Sequence, residues 1–275
     1  MKYLPFVFLF LIYACTHTGE QTSKNKSSDT LNSDTLSYTY QELTKASKYL
    51  VENGTSVDST YFRVYHPKFL DAVITGLVHS AIWLEGEDGF EEAAQAFIEG
   101  YDEFVEEEST HRVSMPWFKE IQSSVCLNTP RLLTLKTTYQ QYTGGAHGNT
   151  VVIWSNYDVV QHQKIQLSDF IIKEKLPALT KMAEQQFRKM ENLADTVSLE
   201  KDFFFEHGIF ALNDNFGLTK DGLLFYYNEY EIKPYSEGST TIKLPYADLK
   251  DFLSNRGKEY VKDIEKVIAY DKKTH

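Results

Sequence analysis

Side chains able to do chemistry are scattered along this chain, and one loop gathers more of them than any other stretch. Residues 142–149 read Tyr-Thr-Gly-Gly-Ala-His-Gly-Asn. Gly144 and Gly145 open backbone conformations closed to other residues, so the loop can turn tightly and clear side chains from around His147. A partner could then approach His147 and the aromatic ring of Tyr142 at the loop's start. Neither a phosphate-loop lysine nor a metal-ligand spacing accompanies the histidine. A hydrolytic role would need a carboxylate beside it, and Asp158 or Asp169 could serve only if the fold joins one of them to His147. The motifs His-Glu-x-x-His, Gly-x-Ser-x-Gly and paired Cys-x-x-Cys are absent, and the eight histidines are dispersed. The sequence therefore assigns no catalytic residue, no metal and no cofactor. A plain structural turn is the competing reading of this loop.

A second loop of similar make-up follows later. In Pro234-Tyr-Ser-Glu-Gly238 the proline fixes one bend and the glycine permits another. Pro234, Tyr235 and Gly238 join Tyr142, Gly144, Gly145 and His147 as candidate ligand-binding residues, because exposed tyrosines are enriched at binding hot spots.

The elements that must carry these loops are legible from periodicity. Leu70, Val73, Ile74, Leu77, Val78, Ala81 and Ile82 fall on one helical face, and so do Phe90, Ala94, Phe97, Ile98, Tyr101, Phe104 and Val105. His79 lies off the first stripe and reads as a surface residue. Runs 113–127, 131–142 and 150–160 are β-branched and aromatic, and read as an antiparallel meander with the glycine loop between the last two. A helix on Leu176, Leu179, Ala183, Phe187 and Met190 follows. A second meander should use 209–212 and 223–228, turned at Asp221-Gly222 and extended by 229–232. Residues from Leu244 to Ile268 carry helical spacing. Strands and helices that do not alternate one for one predict an α+β fold, mainly antiparallel sheet with helices packed on it, the two meanders separated by a helix.

The first residues supply an address. Lys2 precedes an apolar run, Leu4–Ala14, too short to span a bilayer, which ends Leu-Ile-Tyr-Ala-Cys15. This is similar to a bacterial lipoprotein signal, with a small residue before the cut and Cys15 as the acylated first residue of the mature chain. Acyl chains, each CH₂ worth about 0.8 kcal/mol on burial, would anchor it firmly. Polar residues 16–37 then have almost nothing to bury and read as a tether. The organisation expected is a signal peptide at 1–14, a tether at 15–37, a helix-rich module at 38–128, a second domain at 129–255 and a helical tail at 256–275. With Cys15 lipidated, Cys126 stands alone, no internal disulfide can form, and Cys126 reads as a small buried hydrophobe.

Charge excludes one class of partner. Twenty-eight basic residues face thirty-nine acidic ones, a net charge of −11, and losing Lys2 with the signal makes it −12. Nucleic acid needs clustered Lys and Arg and is excluded, while a cationic protein would be steered in.

The order of motifs resembles a known family. Tyr142-Thr-Gly-Gly-Ala-His147, Asn156-Tyr-Asp158 and Ile165-Gln-Leu-Ser-Asp-Phe170 carry the likeness. So do Phe210-Ala-Leu212, Gly222-Leu-Leu-Phe225, Tyr230-Glu-Ile232, Pro234-Tyr235, Gly238 and Leu244-Pro-Tyr246. Over about 130–255 the chain resembles the RsiV-like extracellular domain, which also occurs outside the catalytic domain of the peptidoglycan deacetylase PdaC. Gly148 departs from the proline common after this histidine. The resemblance implies a binding module, and in RsiV the extracellular part recognises lysozyme. The function expected is a non-enzymatic, lipid-anchored envelope protein that binds a cationic lysozyme-like protein or peptidoglycan. It would face the periplasm or the cell surface, most simply on the outer membrane of a Gram-negative bacterium. A wall hydrolase using His147, or a structural subunit of an envelope complex, are the alternatives.

Overall fold

The computed structural model describes residues 35–53, 56–82, 89–107 and 115–274. The signal peptide, Cys15 and nearly all of the tether lie outside the described residues, as do parts of the acidic stretches 85–92 and 106–108. The described body opens on strands β1 (Tyr38–Asn53) and β2 (Ser56–Phe69), paired antiparallel. Helices α1 (Ala72–Ile82) and α2 (Phe90–Glu107) follow, and then β3 (Phe118–Asn128), β4 (Leu132–Tyr142), β5 (Asn149–Asp158) and β6 (Gln163–Lys164). These six strands form one sheet in sequence order, antiparallel throughout except for the parallel pair β2–β3. A parallel pair needs a long crossover, and the two helices supply it.

The crossover fixes which face the helices cover. Ile74, Val78, Ile82 and Ala94 are buried against Phe62, Val64, Ile121, Leu133, Leu135 and Tyr157 of the sheet. At 3.6 residues per turn those helical positions make one stripe, and the strand positions alternate as a pleat requires. Long charged side chains tie α2 to the outermost strand: Lys45 Nζ lies 3.1 Å from Glu91 and Lys48 Nζ 3.1 Å from Glu106.

Against the opposite face sits a second sheet of β7 (Phe216–Thr219), β8 (Gly222–Tyr227) and β9 (Thr240–Leu244), joined in an antiparallel meander. Helices α3 (Leu167–Phe170), α4 (Leu176–Met190) and α5 (Asn255–Thr274) complete a second core with Phe170, Leu179, Phe187, Phe225 and Ile264. The molecule is therefore α+β, with two meanders separated by a helix, as periodicity predicts. No described helix is long and apolar enough to cross a membrane.

Asparagine side chains join the two sheets. β6 covers β5 only at Tyr157 and Asp158, so the outer edge of β5 would otherwise expose unpaired backbone groups. Asn228 Oδ1 accepts from Val152 N at 2.6 Å, and Asn215 Oδ1 accepts from Trp154 N at 2.8 Å. Asn228 Nδ2 and Asn215 Nδ2 both donate to Val152 O, at 3.1 and 2.7 Å. Asn156, fully buried on β5, donates to Phe216 O at 2.8 Å and accepts from Leu218 N at 2.9 Å and from the Thr134 hydroxyl at 3.1 Å. Gly217 completes the joint, because a Cβ there would stand 2.5 Å from the Trp154 ring.

The structure corrects several expectations. The N-terminal module opens on two long strands, not on helices, and the boundary at 128/129 falls in the β3–β4 turn of one continuous sheet. Residues 209–212 are not a strand: Phe210 is buried while Ile209 is exposed, and the strand is β7, four residues further on. Residues 229–232 form a turn, and 240–244 are strand β9 preceding the helical tail. The β7–β8 turn consists of Lys220 and Asp221, with Gly222 already paired to Thr219. Cys126 is half-buried at a register shift in β3, and burial pushes its thiol pKa up.

Replacing Asn156 by alanine leaves Leu218 N and Phe216 O buried without partners. Denaturant unfolding of Asn156→Ala is expected to show a loss of about 3 kcal/mol. A loss under about 1 kcal/mol would mean the two sheets are held together by apolar packing alone.

Candidate functional site

The two glycine-bearing loops, far apart in sequence, meet. The β4–β5 loop is held open by Gly144 at φ 102° and Gly145 at φ 94°, both left-handed and both facing open space. The Tyr142 hydroxyl closes the loop by donating to Gly145 O at 3.0 Å. His147 Nδ1 lies 2.8 Å from Gly148 O, which can only accept, so Nδ1 carries a proton. The His147 ring then lies flat on Tyr235, centroids 4.2 Å apart and planes 14° from parallel.

Tyr235 continues the stack. Its ring faces Tyr230 at 5.6 Å and 26°, which makes a ladder of three rings. Tyr230 is 57% exposed and Tyr235 38%, too open for these rings to be core. Each is aimed by its turn. Tyr230 has φ 67°, inside a turn closed by Glu231 N donating to Asn228 O at 3.2 Å and Asn228 N donating to the Glu231 carboxylate at 2.9 Å. Asn228 is also the residue that grips β5, so docking and display share one side chain. Pro234 sets the bend for Tyr235, and Gly238 at φ 68° ends it. Lys233, paired with Glu191 at 2.9 Å and nearly buried, anchors the base of this loop.

Of the residues expected from sequence, His147 and Tyr235 are in direct contact, and Gly144, Gly145, Pro234 and Gly238 shape their turns. Tyr142 points elsewhere: its ring faces Phe118 at 6.3 Å, which in turn faces Tyr61 at 6.0 Å. Tyr230 was not anticipated, because Tyr-Glu-Ile reads as strand. A tyrosine flanked by Glu229 and Glu231 just before a proline turn was the available signal.

The dyads considered for hydrolysis do not form. Asp158 lies at the far end of β5 from His147, about 30 Å along an extended strand. It is buried, accepting from Tyr260 Oη at 2.6 Å and from the backbone N–H groups of Val160 and Gln161. Asp169 closes a capping box on Gln166 N at 2.8 Å. Among the described residues no three metal-ligating side chains converge.

His79 is corrected as well. It is half-buried, its ring edge-on to His66 at 4.6 Å and 5.3 Å from Phe90. Burial, reinforced by His66 and then Lys68, lowers its pKa from 6.5 to about 4. The buried His66 is lowered too, chiefly by burial. A depressed histidine contributes stability that is complete above the unfolded pKa and is lost as pH falls through the folded one. Stability should therefore decline between about pH 6.5 and about pH 4. His79→Phe should flatten that decline in urea midpoints measured across the window. An unchanged slope would place the acid sensitivity elsewhere.

Relatives agree with this architecture. Residues 168–247 match the family DUF3298, described as a protein of unknown function, and residues 18–150 match the family described as deacetylase PdaC. A DUF3298-family protein of Bacteroides fragilis NCTC 9343 superposes with a TM-score of 0.66 at 22% identity, over 84% of this chain and 98% of its own. Another DUF3298-family protein, from Pseudomonas aeruginosa PAO1, gives 0.62 at 19% identity, over 80% and 95%. At such identities the likeness concerns the fold alone. No match is found among curated proteins. Matches to the PdaC and DUF3298 models in adjoining parts of the chain, together with structural neighbours of the DUF3298 family, are consistent with the RsiV-like/PdaC domain family.

Proposed function

We propose that this chain is a lipid-anchored binding protein of the bacterial cell envelope, which holds a cationic, lysozyme-like protein and does no chemistry on it. The observation that carries this reading is the ring ladder His147–Tyr235–Tyr230, built where two distant loops converge and left exposed. Stacked, exposed rings cost apolar hydration in the free protein, and turns this well braced keep their ordering cost low on binding. The exposed Tyr230 ring at the end of the ladder is electron-rich on its face and suits an arginine or lysine side chain.

Charge supports the same partner class. Glu229, Glu231 and Glu237 lie in the turns that present the rings, and the whole chain carries −11. Long-range attraction of this kind raises association rates and fades with salt. Peptidoglycan carries carboxylates of its own and would be weakly repelled. The missing dyads remove the specific support for a hydrolase on His147.

Binding of hen lysozyme to the purified protein should weaken steeply between 50 mM and 500 mM salt. Tyr235→Ala should weaken it by about thirtyfold, a hot-spot loss. Binding insensitive to both salt and Tyr235→Ala would remove the ladder as the contact. Anchoring is tested apart from this. Metabolic labelling with a palmitate analogue should mark the protein in a bacterial host, and Cys15→Ser should abolish the label. Labelling that survives Cys15→Ser would refute acylation at that residue.

A further inference from the structure

A cleft of about 510 Å³ opens between α2 and the face of β3, β4 and β5 that the helices cover. Its lining runs from the buried Ile82, Ala93 and Ile121 to the exposed Ala96, Gly100, Gln141 and Asn149, so it is a cleft open to solvent. It falls within the range of small-molecule sites, about 300–1,000 Å³.

The floor of the cleft consists of two successive rungs of the sheet with opposite chemistry. The inner rung is Ile121, Tyr139 and Val151, paired in register across the three strands. Ile82 closes this end, and Ile82, Ile121 and Tyr139 are all buried. The outer rung is Lys119, Gln141 and Asn149, also in register, with the exposed Thr143 beside it. Among the described residues no carboxylate lines the cleft, and Lys119 is the one charged side chain there. The Lys119 ammonium lies 5.9 Å from the Phe62 ring centroid and makes no ion pair among the described residues. A lone cation in a chain of net charge −11 is a local inversion of the molecule's sign.

The roof is thinned where it faces this space. Gly100 sits inside α2, where glycine costs about 1 kcal/mol relative to alanine. A Cβ there would meet nothing within 4 Å, so no contact with the described residues requires the glycine.

We propose that this cleft binds one single-chain amphiphile with an anionic head, of the class of a long-chain fatty acid. The tail lies along the half-buried Phe97, Trp117 and Val151, and the carboxylate meets Lys119 at the rim, where Gln141 and Asn149 offer hydrogen bonds. The site meets the two ends of the β4–β5 loop at Thr143 and Asn149, but no ring of the ladder lines it.

The test uses the full chain made in a membrane-free translation system, titrated with palmitate, with hexadecanol and with hexadecyltrimethylammonium. Trp117 lines the cleft, so its emission reports occupancy, and native mass spectrometry counts the molecules bound. One palmitate per chain is expected, with hexadecanol about tenfold weaker, the worth of a hydrogen bond to a charged group. Lys119→Gln should bring palmitate down to the level of hexadecanol. Gly100→Leu should abolish both while leaving the melting temperature unchanged or higher, because it fills open space with a better helix former. If Gly100→Leu lowers the melting temperature, Ala96→Leu on the same wall supplies the reading instead. No binding, binding that survives the filled variant, or equal binding of the cationic amphiphile would each overturn the proposal.

Discussion

The hydrogen bonds that asparagine side chains make to strand β5 hold the rest of this structure in place. A strand left half unpaired would either recruit another chain or cost the unmet bonds of its backbone. Here Asn215 and Asn228 stand in for the missing neighbour, and Asn156 reaches the other way to grip β7. A carboxamide offers a donor and an acceptor on one planar group, the same pair that a peptide presents, so it can imitate a strand without needing one. Once β7 is held this way, the turn that ends β8 is fixed against β5, and Tyr230 is carried to the place where His147 and Tyr235 meet. The exposed ladder is thus a by-product of a buried joint.

This also explains a signature that sequence alone could only recognise. Asn156-Tyr157-Asp158 is three adjacent residues with three unrelated duties. Asn156 binds the second sheet, Tyr157 fills the core beneath the helices, and Asp158 caps a turn while accepting from Tyr260 on α5. None of them approaches the ligand loops.

Legibility in the sequence followed the strength of local periodicity. Helices α1, α2 and α4 each bury one face and their apolar residues recur at the right interval, while strands β3, β4, β5 and β8, several of them buried on both faces, show as runs rich in β-branched and aromatic residues. β1 escaped notice because a register shift between Ala46 and Leu50 breaks its alternation and because its outward positions are polar. β7 was missed for another reason. Asn213-Asp-Asn215 and Gly217 read as loop, yet the asparagine exists to hold β5 and the glycine to admit Trp154. Local rules fail where a residue is chosen for a contact sixty positions away. The candidate site was readable loop by loop, since glycine and proline mark turns whatever surrounds them. That the loops touch, and that Tyr230 joins them from a left-handed turn, required the tertiary joint.

The C-terminal helix has a temporal meaning. Asp263, fully buried on α5, binds Arg131 at 2.6 Å across 132 residues, and Tyr260 reaches Asp158 across 102. Contacts so distant cannot form before α5 has been made, and they must overcome a large loop-closure entropy when they do form. The second core lacks Tyr260, Val261 and Ile264 until that helix arrives. A nascent chain built this way keeps that half pliable while the first sheet, whose contacts are nearer in sequence, can already settle.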